Sequence, residues 1–138
     1  MSYGVKMDKK VLREIRPMFD GEEHVVVAYL FGSTAKGTAG KLSDVDVAVL
    51  TSKDHPPTLD YQLYLMDKLA GIFGREVDVV ILNEASPLLR YEVIKRGKLL
   101  YSRDELTRIA FEERTIDEYL DMDRIEKEYL KCLLQSVK

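Results

Sequence analysis

The stretch Phe31-Gly32-Ser33-Thr34-Ala35-Lys36-Gly37-Thr38-Ala39-Gly40-Lys41-Leu42-Ser43-Asp44-Val45-Asp46-Val47-Ala48-Val49-Leu50 decides how this chain folds. It opens at the end of an apolar run, turns through Gly32-Ser33, and enters a second apolar run in which aspartate and valine alternate. Alternation is the signature of a strand, so Asp44 and Asp46 share one face and Val45, Val47 and Val49 the other. Carboxylates two residues apart on a strand stand roughly 6.5–7 Å from each other, close enough to share a divalent cation. Gly32 lets backbone approach a phosphate closely. Ser33 adds a hydroxyl and, if it opens a helical turn, an N–H aimed at the same group. Lys36 supplies positive charge for a triphosphate. These residue types in this order point to metal-dependent nucleotide chemistry.

Working outward, His24 to Phe31 is an apolar, β-branched run that predicts a buried strand. Before it, Met7 to Phe19 reads as a helix with Val11, Leu12, Ile15 and Phe19 on one stripe. After Leu50, Thr58 caps a helix to Phe73, with Leu59, Leu63, Met66, Leu69, Ala70 and Phe73 expected on its buried face and Gly74 ending it. Glu76 to Leu82 is a third strand, Val77, Val79 and Ile81 opposing Asp78, Val80 and Leu82. Ser86-Pro87 starts a helix that ends with Lys95, Arg96 and a left-handed cap at Gly97. Lys98 to Ser102 reads as a short edge strand. From Asp104 the pattern is helical, with a break expected near Asp121-Met122-Asp123. Leu106, Ile109, Ala110, Ile116, Leu120, Ile125, Tyr129 and Leu133 are its candidates for a core or a partner. The order predicts an α/β (α+β) domain over residues 1–138: a mixed sheet of about four strands backed by helices, with a helical segment at 103–138.

Asp78 is the third carboxylate. It stands mid-strand among Val77, Val79 and Val80, where a charge is costly unless paired or metal-bound. If its strand lies beside that of Asp46, three carboxylates meet, repelling pairwise by roughly 3 kcal/mol at ~6 Å and an effective dielectric of 20. Mg²⁺ or Mn²⁺ relieves that repulsion, and two such ions serve nucleotidyl transfer. In that scheme Asp44 and Asp46 bridge both ions, and Asp78 holds the hydroxyl-side ion.

These residues resemble the nucleotidyltransferase superfamily of the DNA polymerase beta type, and more closely its minimal members, the MntA-like antitoxins paired with HEPN-domain toxins. Gly32-Ser33-Thr34-Ala35-Lys36-Gly37 is similar to that family's Gly-Ser-x-Ala-Arg-Gly, lysine keeping the charge without arginine's bidentate fork. Ser43 to Val49, Val77 to Asn83, Pro87 to Val93, Gly97 to Tyr101 and the tail around Phe111-Glu112 extend the likeness. The resemblance implies a polymerase beta-like fold, ATP and two Mg²⁺ ions, and AMP transfer to a tyrosine hydroxyl of a cognate HEPN ribonuclease toxin, which silences it. The alternatives are a small-molecule nucleotidyltransferase of the antibiotic-modifying kind and a non-catalytic antitoxin that works by binding alone.

Composition excludes other classes. The net charge of −3 argues against a broad nucleic-acid footprint. No long uncharged apolar run predicts a membrane span. Met1 to Lys10 has no signal-peptide core, and Cys132 is the single cysteine, so the cytoplasm is expected. Asn83 is the single asparagine, which with abundant charge matches thermophile composition. His24 and His55 read as isolated surface residues, and Tyr29 and Tyr91 as packing residues.

Overall fold

The computed structural model describes residues 9–32 and 45–136. Its elements are α1 (Lys9–Asp20), β1 (Val25–Phe31), β2 (Val45–Thr51), α2 (Leu59–Phe73), β3 (Val77–Ile81), a 3-10 turn (Leu82–Glu84), α3 (Pro87–Arg96), β4 (Lys98–Ser102) and α4 (Glu105–Ser136). The strands form one mixed sheet in the order β3-β2-β1-β4. Strands β1 and β2 are antiparallel, β1 and β4 are antiparallel, and β2 and β3 are parallel, joined through α2.

Each sheet face buries its own layer. Val45, Val47 and Val49 of β2 and Val77, Val79 and Ile81 of β3 pack with Val11, Ile15 and Phe19 of α1 and Leu65, Leu69 and Ile72 of α2. The other face, carrying Val27, Tyr29 and Ala48, packs against Leu82, Val93 and Phe111 beneath α3 and α4. A register shift between Val25 and Val27 explains why these two valines, two residues apart, face opposite layers. Val45 and Val47 are fully buried, worth roughly 1.5–3 kcal/mol each, so a one-residue slip that exposed them is strongly disfavoured.

Several local expectations need correction. Leu12 is 60% exposed, leaving Val11, Ile15 and Phe19 as the buried stripe of α1. In α2 the buried residues are Leu65, Leu69 and Ile72, while Leu59 and Leu63 face solvent. That helix is apolar around much of its girth, so spacing alone did not single out the inner face. Its caps do follow the expected chemistry: the Thr58 hydroxyl accepts from Tyr61 N–H, and Gly74 adopts φ 69°. Gly97 is not left-handed; its φ is −82°. A Cβ there would collide with the Val93 carbonyl and sit 3.1 Å from the Leu30 carbonyl, so glycine serves close passage beside β1. The helix α4 runs unbroken through Asp121 and Asp123, because each aspartate pairs along the helix, with Arg124 and Lys127 respectively. Among its apolar candidates, Leu106, Ile109, Ile116, Leu120, Ile125, Tyr129 and Leu133 are all exposed; Phe111 and Thr115 are the buried residues. His24 and His55 are not isolated but stack with ring centroids 3.6 Å apart.

Candidate active site

The parallel register sets Asp46 directly opposite Asp78. Neighbouring strands run about 4.8 Å apart, so the two side chains rise side by side from one face. This is the face away from the valines, where alternation along both strands requires them to be. Asp46 is 1% exposed and Asp78 half-buried. Across β2 on its other side, Phe31 pairs with Asp46, so Gly32 leaves the sheet next to the carboxylates. The sheet thus brings together Gly32, Asp46 and Asp78. Ser33, Lys36 and Asp44 lie outside the described residues. Among the described residues no third histidine, cysteine or carboxylate completes a metal-binding group with this pair.

Three supports of β3 and the turn after it were not anticipated from the sequence. Gln62 of α2 donates through Nε2 to the Val79 carbonyl at 2.6 Å, holding the edge strand one residue beyond Asp78. A cavity of ≈ 300 Å³ opens there, lined by Asp78, Gln62, Val80, Glu84 and Leu89 among others. Asn83 extends the β2–β3 pairing past its last residue: its Oδ1 accepts from Thr51 N–H and its Nδ2 donates to the Thr51 carbonyl, both at 2.9 Å. Arg90 then clamps the turn, donating to the carbonyls of Leu82 at 2.9 Å and Asn83 at 3.0 Å and pairing with Glu118 of α4 at 3.3 Å. The available signal was scarcity. In a chain with one asparagine and two glutamines, two of the three amides hold backbone around β3.

On the same face, Tyr29 donates to Glu112 of α4 at 2.7 Å, and Arg108 pairs with both Glu112 and Glu105. Burial and the adjacent carboxylate push the Tyr29 phenol well above its ordinary value, so it stays protonated and tethers α4 to the sheet. At the far end of β1, Arg103 donates to the Val25 and Phe19 carbonyls at 2.9 and 2.8 Å, fixing the exit of β4. The larger cavity, ≈ 560 Å³, is bounded by Val26, Thr51 and Phe111. Thr51 lies five residues beyond Asp46, roughly 16 Å along the strand, so this cavity is separate from the carboxylate pair.

Two carboxylates set side by side, with Gly32 beside them, have the chemistry to hold a divalent cation and to admit a phosphate. Residues 13–106 match the family described as Polymerase beta, Nucleotidyltransferase. The chain is 33% identical over 114 residues to the protein adenylyltransferase MntA of Shewanella oneidensis, covering 81% of this chain and 76% of that protein. Among solved structures, it is similar at TM-score 0.62 and 27% identity to a chain of the complex of tri-AMPylated Shewanella oneidensis HEPN toxin with MNT antitoxin, covering 84% of this chain and 88% of that one. It is also similar at TM-score 0.64 and 27% identity to a chain of a toxin-antitoxin structure with AMP-PNP, covering 91% and 96% respectively. Among the described residues no helix is long and apolar enough to cross a membrane.

Proposed function

The chain belongs to the polymerase beta nucleotidyltransferases, and within them to the MntA-type protein adenylyltransferases, and from that premise we propose that it is an antitoxin that moves AMP from ATP onto a tyrosine of a cognate HEPN toxin. The observation that carries this reading is the register pairing Asp46 with Asp78, with Gly32 leaving the sheet beside them. The relatives support the acceptor class: one complex holds an AMPylated HEPN toxin, and another structure holds an ATP analogue. The cytoplasm, where ATP is abundant, is the proposed compartment.

The donor set fits Mg²⁺. Carboxylate oxygens are hard ligands, and this ion keeps positions for water and phosphate. Asp44 and Asp46 would hold two ions, with Asp78 on the acceptor side. When bound, these ions neutralise the triphosphate and lower the pKa of the acceptor hydroxyl.

The chain's own residues do the rest. Gly32 admits the phosphates against backbone, the Ser33 hydroxyl donates to a phosphate oxygen, and Lys36 balances its charge. The tyrosine oxygen bonds to the α-phosphorus while the bond to pyrophosphate breaks. Asp78 takes the phenolic proton, a necessary step because a free tyrosine has a pKa near ~10 and is protonated at neutral pH. Gln62 keeps β3 in place while this happens.

The test is incubation with α-labelled ATP, Mg²⁺ and a cognate HEPN toxin, with aminoglycosides supplied in parallel. Label is expected on the toxin. Label on the small molecules alone would overturn the protein-acceptor reading.

A further inference from the structure

The larger cavity, ≈ 560 Å³, stands apart from the carboxylate pair, between the sheet and α4. Its volume is within the range of about 300–1,000 Å³ typical of small-molecule sites. Val26 of β1, Leu50 of β2 and the buried Phe111 of α4 make an apolar wall. On α4 the lining residues Thr107, Ala110, Phe111, Arg114 and Thr115 recur at helical spacing, so one face of that helix closes the cavity.

The lining carries one sign of charge. Lys53, Arg90 and Arg114 reach it and no aspartate or glutamate does, although acidic residues outnumber basic ones in the chain, 24 to 21. Arg90 is occupied by the Leu82 and Asn83 carbonyls and by Glu118. Glu118 stands four residues from Arg114, the spacing of a helical ion pair, yet it bonds Arg90 instead. Lys53 and Arg114 are left without an ion pair among the described residues. Thr115 adds a second unmet demand. It is 1% exposed, and its hydroxyl makes no hydrogen bond among the described residues. The Thr51 hydroxyl, on the opposite wall, is met by Asn83 Oδ1 at 3.3 Å. A buried hydroxyl costs free energy unless it has a partner, and the cavity that Thr115 lines is the space from which one can come.

We propose that this cavity is a binding site for a small amphipathic anion, an oxyanion head on an apolar, ring-sized body. The body packs against Val26, Leu50 and Phe111, the head lies within reach of Arg114 and Lys53, and the Thr115 hydroxyl donates to an acceptor on the ligand. Arg114 supplies a planar fork that matches two oxygens of one head group. A bare inorganic anion leaves the apolar wall uncovered, and a neutral ligand leaves both cations without a counter-charge. Because the cavity is separate from the carboxylate pair, its occupancy does not compete with ATP.

The experiment titrates the full chain with anilinonaphthalene sulfonate, an aromatic anion, and with its neutral analogue phenylnaphthylamine, followed by fluorescence with and without saturating ATP and Mg²⁺. The sulfonate should bind at one site, about tenfold more tightly than the amine. Arg114→Gln should weaken it about tenfold, and Thr115→Val, which keeps the shape and removes the hydroxyl, about threefold. Ala110→Trp, which fills the cavity from an exposed helix position, should abolish it. Ile125→Ser, in the exposed tail of α4, should change nothing. No binding, or equal affinity for the two compounds, would overturn the anion site. So would sulfonate binding that survives both Arg114→Gln and Ala110→Trp. Loss of binding in Ile125→Ser would assign the probe to the exposed tail, and displacement by ATP would assign it to the nucleotide site; either result overturns the proposal.

Discussion

Asp46 is almost fully buried and faces a second carboxylate across one strand gap. A carboxylate buried as deeply as Asp46 must be paired, hydrogen-bonded or metal-bound. Replacing it with asparagine preserves shape and removes charge. We expect Asp46→Asn to cut AMP transfer at least a thousandfold while the chain stays folded. We also expect it to abolish any rise in Tm produced by Mg²⁺ with ATP, measured by thermal unfolding with and without both ligands. Gly97 makes a different point at the same scale. Gly97→Ala should destabilise the fold by about 1–3 kcal/mol, as overpacking does, because the added methyl meets the Val93 and Leu30 carbonyls. Urea unfolding at constant m-value checks it. A helix-final glycine suggested a left-handed cap from sequence, but its reason here is a neighbouring strand that no local pattern reveals.

At the scale of elements, the strands were the most legible part of the chain. The alternation of valine with aspartate is a period-2 signal, and it placed Asp46 and Asp78 on the face where they stand. Helix limits were legible where capping chemistry is explicit, at Thr58, Gly74 and Ser86. The inner face of α2 was not, because Leu59 and Leu63 compete with Leu65 and Ile72 for the same role and only packing decides. The continuity of α4 was missed because aspartates at i and i+2 look like a breaker until their pairs with Arg124 and Lys127 are known. Strand order was beyond local pattern altogether, yet it makes Asp46 and Asp78 neighbours. The amide of Asn83 pins the far end of the β2–β3 pair. Asn83→Ala leaves two Thr51 backbone groups short of a partner and should cost about 1–3 kcal/mol in urea unfolding, with kcat reduced less than threefold.

At the scale of the molecule, phenol–carboxylate bonds tie distant segments together. Tyr29 reaches Glu112, Tyr61 reaches Glu22, and Tyr101 reaches Asp20. All three phenols are pushed above the ordinary tyrosine value, first by burial and then by the carboxylate each one meets. The sign follows by linkage. The unfolded chain loses these protons near pH ~10 while the folded chain still holds them, so stability is full below that pH and falls as pH rises beyond it. Urea midpoints from pH 8 to 11 should decline above 10, and Tyr29→Phe should flatten that decline.

Under the proposed function, the paired Asp46 and Asp78 act together in AMP transfer. The most direct measurement is the intact mass of the HEPN toxin after incubation with ATP, Mg²⁺ and either the unmodified chain, Asp46→Asn or Asp78→Asn. Whole AMP additions are expected with the unmodified chain and none with either variant. AMP added equally well by either variant, or a toxin neutralised with no added mass, would contradict that function.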